Sequence, residues 1–147
     1  MKALVIYDST YGNTEKVAQA IGEAIAAEVR RVSQVNPADL KAFDLVIIGS
    51  PTMGGRPTEA IQGLLKAMEA AAHDISVAAF DTRLTSKWVR ILGYAAPRIA
   101  DSLKGMGATL LGSPEGFFVL GKEGPLKEGE LERAAAWGKE IVQSKAW

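Results

Sequence analysis

Short continuous apolar runs alternate along the chain with segments of helical periodicity. Residues 2–8 (KALVIYD) form the first run, too short for a helix and bounded by polar turn residues, and read as a buried strand. In residues 14–28, Val17, Ile21 and Ile25 recur every four positions, the apolar stripe of an amphipathic helix. Residues 29–32 suit a short second strand; the adjacent Arg30 and Arg31 fit an exposed edge, where charge discourages edge-to-edge pairing. The run 45–49 (LVIIG) is apolar without alternation, as in a strand covered on both faces. Pro57 fits the first turn of a helix over 57–71. A strand is expected at 75–80 and a helix at 95–106, ended by Gly107. The last strand opens at 108–111, breaks at Ser113-Pro114 and resumes at 117–120. A closing helix over 128–142 carries Leu131, Ala134, Ala135, Gly138 and Val142 on one face.

Strands and helices that alternate in this way predict an α/β fold: a doubly wound, five-stranded parallel sheet with helices on both faces. The 147 residues suit one domain, residues 1–147, built around one sheet. In such sheets ligands bind beyond the C-terminal strand ends, where the strand order reverses. The segments to inspect are therefore 9–14, 50–56 and 81–94.

Composition narrows the chemistry. Hydrophobic residues are 48% and charged residues 23%, ordinary for a globular protein. Cysteine is absent, which excludes disulfides, iron–sulfur clusters and a thiol nucleophile. The single histidine, His73, precedes the fourth strand and belongs at the edge opposite the ligand loops. Lys plus Arg and Asp plus Glu both number 17, so no global field draws nucleic acid. The run 3–7 is too short to cross a bilayer, so no membrane insertion is expected, and no signal segment is evident. A cytoplasmic location is the expectation, and any redox chemistry needs an organic cofactor.

Ser9-Thr10-Tyr11-Gly12-Asn13-Thr14 lies between the first strand and the first helix. It offers three hydroxyls, an amide and several backbone N–H groups at a helix start, which carries roughly half a positive charge. Gly12 lets the backbone curl around an anion. With no Lys or Arg inside the loop, the pattern favours a phosphate site of neutral dipoles. Capping and turn formation alone would use fewer hydroxyls. A receiver-type phosphoacceptor is excluded, because Gly49-Ser50 stands where the acceptor Asp would be. A dinucleotide site is excluded too, since no G-x-G-x-x-G follows the first strand.

Ser9-Thr10-Tyr11-Gly12-Asn13-Thr14-Glu15 closely resembles the FMN-phosphate signature of flavodoxins. The resemblance covers essentially the whole chain and implies a short-chain flavodoxin with strand order 2-1-3-4-5, because the last strand lacks a long insertion. It implies that FMN is held non-covalently by Ser9, Thr10, Tyr11, Gly12, Asn13 and Thr14 at its phosphate. In the second loop it implies that Ser50 assists the phosphate, Pro51 and Thr52 line the flavin's polar edge, and Met53 packs on one ring face. Flavin reduction places a proton on N5, and members of the family answer by turning a backbone carbonyl toward it. Gly54 suits that movement because glycine visits positive φ freely. Gly55 stands where relatives often carry an acid. The third loop, with Asp81, Thr82, Arg83 and Trp88, is expected to close the other face. Trp88 and Tyr94 are both stacking candidates, and a short helix packed on the core is the competing reading for residues 88–92. Arg56, Arg83, Lys87 and Arg90 are expected to gather at the flavin end, opposed by Asp81 and Asp8.

The resemblance implies a one-electron carrier that serves redox partner proteins. The alternatives are a small FMN-dependent NAD(P)H:quinone-type reductase, or a flavin-binding subunit of a larger redox complex. The chain has little spare sequence from which to build a nicotinamide or quinone pocket.

Overall fold

Along the central strands, alternate side chains point to opposite sides of one sheet and so create two cores. The computed structural model spans residues 1–147 and describes all of them except the side chains of Lys87, Trp88 and Val89. The strands are β1 (Ala3–Tyr7), β2 (Glu28–Arg31), β3 (Leu45–Pro51), β4 (Ser76–Leu84), β5 (Thr109–Leu110) and β6 (Glu115–Val119). All pairings among them are parallel, in the order β2-β1-β3-β4-β5, with β6 also pairing with β4. The helices are α1 (Asn13–Ile25), α2 (Glu59–Ala67), α3 (Lys87–Leu92), α4 (Ala95–Gly105) and α5 (Glu130–Gln143).

On one face Leu4, Ile6, Val46, Ile48, Val77 and Ala79 meet Ile61, Leu64 and Leu65 of α2 and Ile99 and Leu103 of α4. On the other, Val5, Ile47, Ala78 and Phe80 meet Val17 and Ile21 of α1 and Trp137 and Ile141 of α5. This is the doubly wound arrangement expected, with helices on both faces. The final strand is interrupted as expected: β5 pairs with Ser76 and Val77, and β6 pairs with β4 from Phe80 onward.

The departures lie at element ends and have local causes. Helix α1 stops at Ile25, short of residue 28, with Ala26 at φ 55°. The chain must turn there because Val29 folds over Gly22, where a Cβ would overlap its methyl group. Pro57 precedes α2 instead of sitting in its first turn. Thr58 caps the helix, and its Oγ1 accepts the Ile61 N–H at 3.4 Å. Strands β3 and β4 run past Gly49 and Phe80 to Pro51 and Leu84, since Ser50 pairs with Asp81 and Pro51 with Thr82. Apolar periodicity ends before pairing does. The site is built on that polar extension.

Between β3 and β4, the missing side chain of Gly49 makes room for the ring of its partner Phe80. That ring meets Phe117 and Trp137 edge-on at centroid distances of 6.2 and 6.1 Å. A Cβ at Gly49 would overlap the ring, and neither partner ring has room to retreat. Gly49→Ala is expected to destabilise the protein by about 1–3 kcal/mol. The double variant with Phe80→Leu should lose less than the sum of the single losses, as coupled neighbours do. Urea denaturation of the four proteins measures both effects.

The start of α5 is fastened to β6 by a polar knot. Glu130 is buried, accepts the Phe118 N–H at 2.7 Å and pairs with Arg133 at 2.7 Å. Burial raises the Glu130 pKa, but Arg133 and the Phe118 N–H outweigh it and hold the carboxyl below its ordinary value of 4.5. A group depressed in the folded state adds stability above its unfolded pKa and loses it as pH falls. Stability of the wild type is therefore expected to fall as pH drops below about 4.5, and Glu130→Gln should flatten that dependence. Denaturation midpoints from neutral to acid pH decide it.

Candidate cofactor site

At the C-terminal ends of the strands, four loops surround one cleft. Its lining includes Ser9, Thr10, Tyr11, Asn13, Thr14, Pro51, Thr52, Met53, Thr82, Arg83, Leu84, Val119 and Lys122. A separate cavity of about 700 Å³ opens at the opposite end of the sheet, beside Phe43, His73, Lys145 and Trp147. His73 lies there, exposed and paired with Asp74 at 2.9 Å, away from the cleft. Among the described residues no cluster of His, Cys, Asp and Glu suits a metal ion. No helix there is long and apolar enough to cross a membrane.

The first loop is held in shape from below. Gly12 stands at φ 94° before α1 and has no side chain with which to cap it. Ser9 Oγ accepts the Gly12 N–H at 3.0 Å, and Asp8 Oδ1 accepts the Ser9 N–H at 2.9 Å. Arg31, from the end of β2, donates to Asp8 Oδ1 at 3.2 Å and to the Ser9 carbonyl at 3.1 Å. Arg31 thus braces this loop as well as charging an edge strand. The helix start remains available to an anion, ringed by Ser9, Thr10, Asn13 and Thr14. Thr14 Oγ1 and Thr82 Oγ1 lie 2.8 Å apart, both buried, and tie α1 to β4.

In the second loop Met53 and Arg56 exchange backbone bonds of 2.8 and 3.1 Å around Gly54 and Gly55. Both glycines have positive φ, 58° and 81°, as a type I′ turn requires. Gly54 is exposed and open on the Cβ side, whereas Gly55 is buried against the Leu92 backbone. Any side chain at 55 would strike the Leu92 carbonyl, a steric reason for glycine at that position. Met53 is 48% exposed at the cleft rim. Ser50 does not line the cleft. Its hydroxyl is fully buried, donates to the Pro51 carbonyl at 2.9 Å and accepts the Thr58 N–H at 3.0 Å.

The third segment begins as strand. Asp81 is fully buried, bidentate with Arg83 at 2.7 and 2.8 Å, and accepts the Ala96 N–H of α4 at 2.8 Å. Burial pushes its carboxyl above the ordinary carboxylate range, against the pull of Arg83 and that N–H. Asp81 faces α4, opposite Thr82, because neighbouring strand residues point to opposite faces. Arg83 reaches the cleft, but Asp81 balances its charge, and its guanidinium lies 3.5 Å from the centroid of the Tyr94 ring. Tyr94 therefore has one face engaged by a cation. Residues 87–92 form the short helix α3, while the Trp88 and Lys87 side chains lie outside the described residues.

The fourth loop, 120–125 after β6, was not anticipated. It places Lys122 in the cleft lining, and its Glu123 carbonyl accepts the Asn13 side-chain N–H at 3.2 Å. The signal was present in the sequence: glycines at 121 and 124 flank Lys122-Glu123 directly after an apolar run. The rule that ligands sit beyond strand C-termini applies to this strand too.

Comparison with known proteins agrees with this geometry. A sequence model of the family described as flavodoxin matches residues 5–137. A curated flavodoxin of Maridesulfovibrio salexigens is 28% identical, over 96% of this chain and 97% of that protein. An NAD(P)H dehydrogenase (quinone) of Gluconacetobacter diazotrophicus is 34% identical over 80 residues, which cover 37% of this chain and 40% of that protein. A solved flavodoxin from the domain Archaea superposes with a TM-score of 0.82 at 25% identity, covering 97% of both chains. The chain belongs to the flavodoxin family, whose members bind FMN and carry electrons.

Proposed function

We propose that this protein carries single electrons between redox partner proteins, with FMN held in the four-loop cleft. The observation that carries the reading is a hydroxyl-ringed helix start without a side-chain cap, opening beside a partly apolar wall. Ser9, Thr10, Asn13 and Thr14 suit a phosphate monoester, and Pro51, Met53, Leu84 and Val119 suit a planar ring system. Bound there, FMN supplies the one-electron chemistry. The protein binds it, orients it and shields it.

The turn at 53–56 favours a carrier that responds to a change in protonation. Its two backbone bonds run from the Met53 N–H to the Arg56 carbonyl and from the Arg56 N–H to the Met53 carbonyl, and leave the Gly54–Gly55 peptide outside the ladder. That peptide can rotate its carbonyl toward the cleft without breaking either bond. Tyr11, Met53, Ile91, Leu92 and Leu120 are exposed large hydrophobics on segments at this end. Arg56, Arg90 and Lys122 stand exposed among them. An apolar rim with scattered cations suits brief docking to an acidic partner surface. A quinone reductase reading is less well supported, since the likeness to the quinone dehydrogenase spans 37% of this chain.

The expected result is one FMN per chain, two resolved one-electron potentials, and no NADPH consumption with a quinone acceptor. NADPH oxidation at enzymic rates would overturn the carrier reading. In Gly54→Ala, φ 58° becomes costly, by about 1–2 kcal/mol for an L-residue. The gap between the two potentials should shift by some tens of millivolts, at about 59 mV per tenfold change in equilibrium. Oxidised FMN should bind nearly as well as to wild type, because a Cβ at 54 meets nothing within 4 Å. Potentiometric titration of both proteins measures the gap, and an unchanged gap removes Gly54 from the mechanism.

A further inference from the structure

The phosphate loop has no cation of its own, yet the fold brings one to the same cleft. Two basic residues line it, Arg83 and Lys122. Arg83 is charge-balanced by Asp81 and lies under Tyr94, and Arg31 below the loop is engaged by Asp8. Among the described residues no carboxylate pairs with Lys122, which stands exposed on the fourth loop. Glu123 is next to it in sequence, but it is the Glu123 carbonyl that bonds inward, to Asn13.

That loop is fixed in place relative to the start of α1. Leu120 N–H donates to the Pro125 carbonyl at 2.9 Å, and Gly124 N–H to the Gly121 carbonyl at 3.0 Å. Lys127 N–H donates to the Phe118 carbonyl at 2.8 Å. Gly124 presses on the Asn13 amide so closely that a Cβ there would lie 2.7 Å from Asn13 Oδ1. Asn13 is itself the first residue of α1 and almost fully buried. The backbone on both sides of Lys122 is therefore clamped beside the helix start where an anion is favoured, and Lys122 lines the same cleft as that start.

We propose that Lys122 adds to the site's preference for a phosphorylated flavin, by pairing with the phosphate dianion at the start of α1. The inference rests on the flavin reading above and adds to it one charged contribution to FMN-over-riboflavin discrimination. Hydroxyls and backbone N–H groups at the helix start satisfy a phosphate's oxygens, and an unpaired ammonium in the same lining adds a charge-assisted contact to them. Riboflavin ends in a neutral alcohol and gains nothing from the ammonium.

The test is flavin fluorescence quenching by the full chain, with FMN and riboflavin, at low and high salt. Wild type should prefer FMN strongly. Lys122→Gln should bind FMN about three- to tenfold more weakly at low salt, within reach of a partly screened ion pair, and bind riboflavin as wild type does. High salt should narrow the difference. Lys122→Arg should retain the preference. Lys127→Gln, a charge loss on the same connection but outside the cleft, should leave both affinities unchanged. Equal weakening for both flavins would place the lysine on the ring and overturn the proposal, as would unchanged FMN binding at low salt. A wild type without any FMN preference would overturn the phosphate-loop reading itself, a different result from either.

Discussion

Asp81 cannot be left alone. A carboxylate with no solvent exposure is costly unless paired and hydrogen-bonded, and here Arg83 and the Ala96 N–H meet that need together. Satisfying it fixes three things at once. It sets where α4 begins, it holds Arg83 over the Tyr94 ring, and it keeps β4 extended beyond the apolar part of the sheet. The next residue faces the other way, so Thr82 offers its hydroxyl to Thr14 of α1 and its carbonyl to the Thr52 N–H. Three consecutive residues thereby hold the first loop, the second loop and the helix after the third in one frame.

Most of the fold was legible because parallel strands buried on both faces leave long apolar runs. The strands at 45–51 and 76–84 were found at their apolar starts, Leu45 and the Ile75–Ser76 boundary, and missed at their polar ends. Periodicity records burial, whereas Ser50, Asp81 and Thr82 remain paired while carrying polar side chains. The same limit explains the reading of Arg30 and Arg31 as edge charges. Sequence spacing does not show that β2 ends beside the first loop, where Arg31 reaches the Ser9 carbonyl. The first loop was readable as a strand-to-helix turn because its parts are local: a strand, a hydroxyl cluster and a helix start adjoin in sequence. The fourth loop was missed because its contact with Asn13 crosses 110 residues.

Charge counting shows the same gap between sequence and space. Equal numbers of acids and bases suggest nothing in particular at the site, and four basic residues near one end suggest a positive flavin surround. The structure separates those cations by their partners. Arg83 belongs to a buried pair and adds little net field, while Arg56 and Arg90 are exposed and screened within about 8 Å at physiological salt. Their effect on a partner's approach is therefore greater than their effect on the cleft, because steering acts over the encounter distance while the local potential is set by the nearest unpaired groups.

The division between rigid and movable parts follows from where glycine is required. Gly49 and Gly55 are glycine because another atom fills the space, the Phe80 ring in one case and the Leu92 backbone in the other. Gly54 has empty space on its Cβ side and is glycine for its backbone angle. Packing glycines lock the walls of the cleft, and a conformational glycine leaves one peptide free at its rim. A cofactor that changes charge and protonation as it is reduced needs both. In the function proposed above, fixed donors would avoid reorganising the phosphate end at each transfer, and one peptide able to turn would keep the adjustment at the ring local. A side chain at 55 would push Leu92 away and loosen the wall that carries the turn. The free peptide is useful only because its neighbour is held.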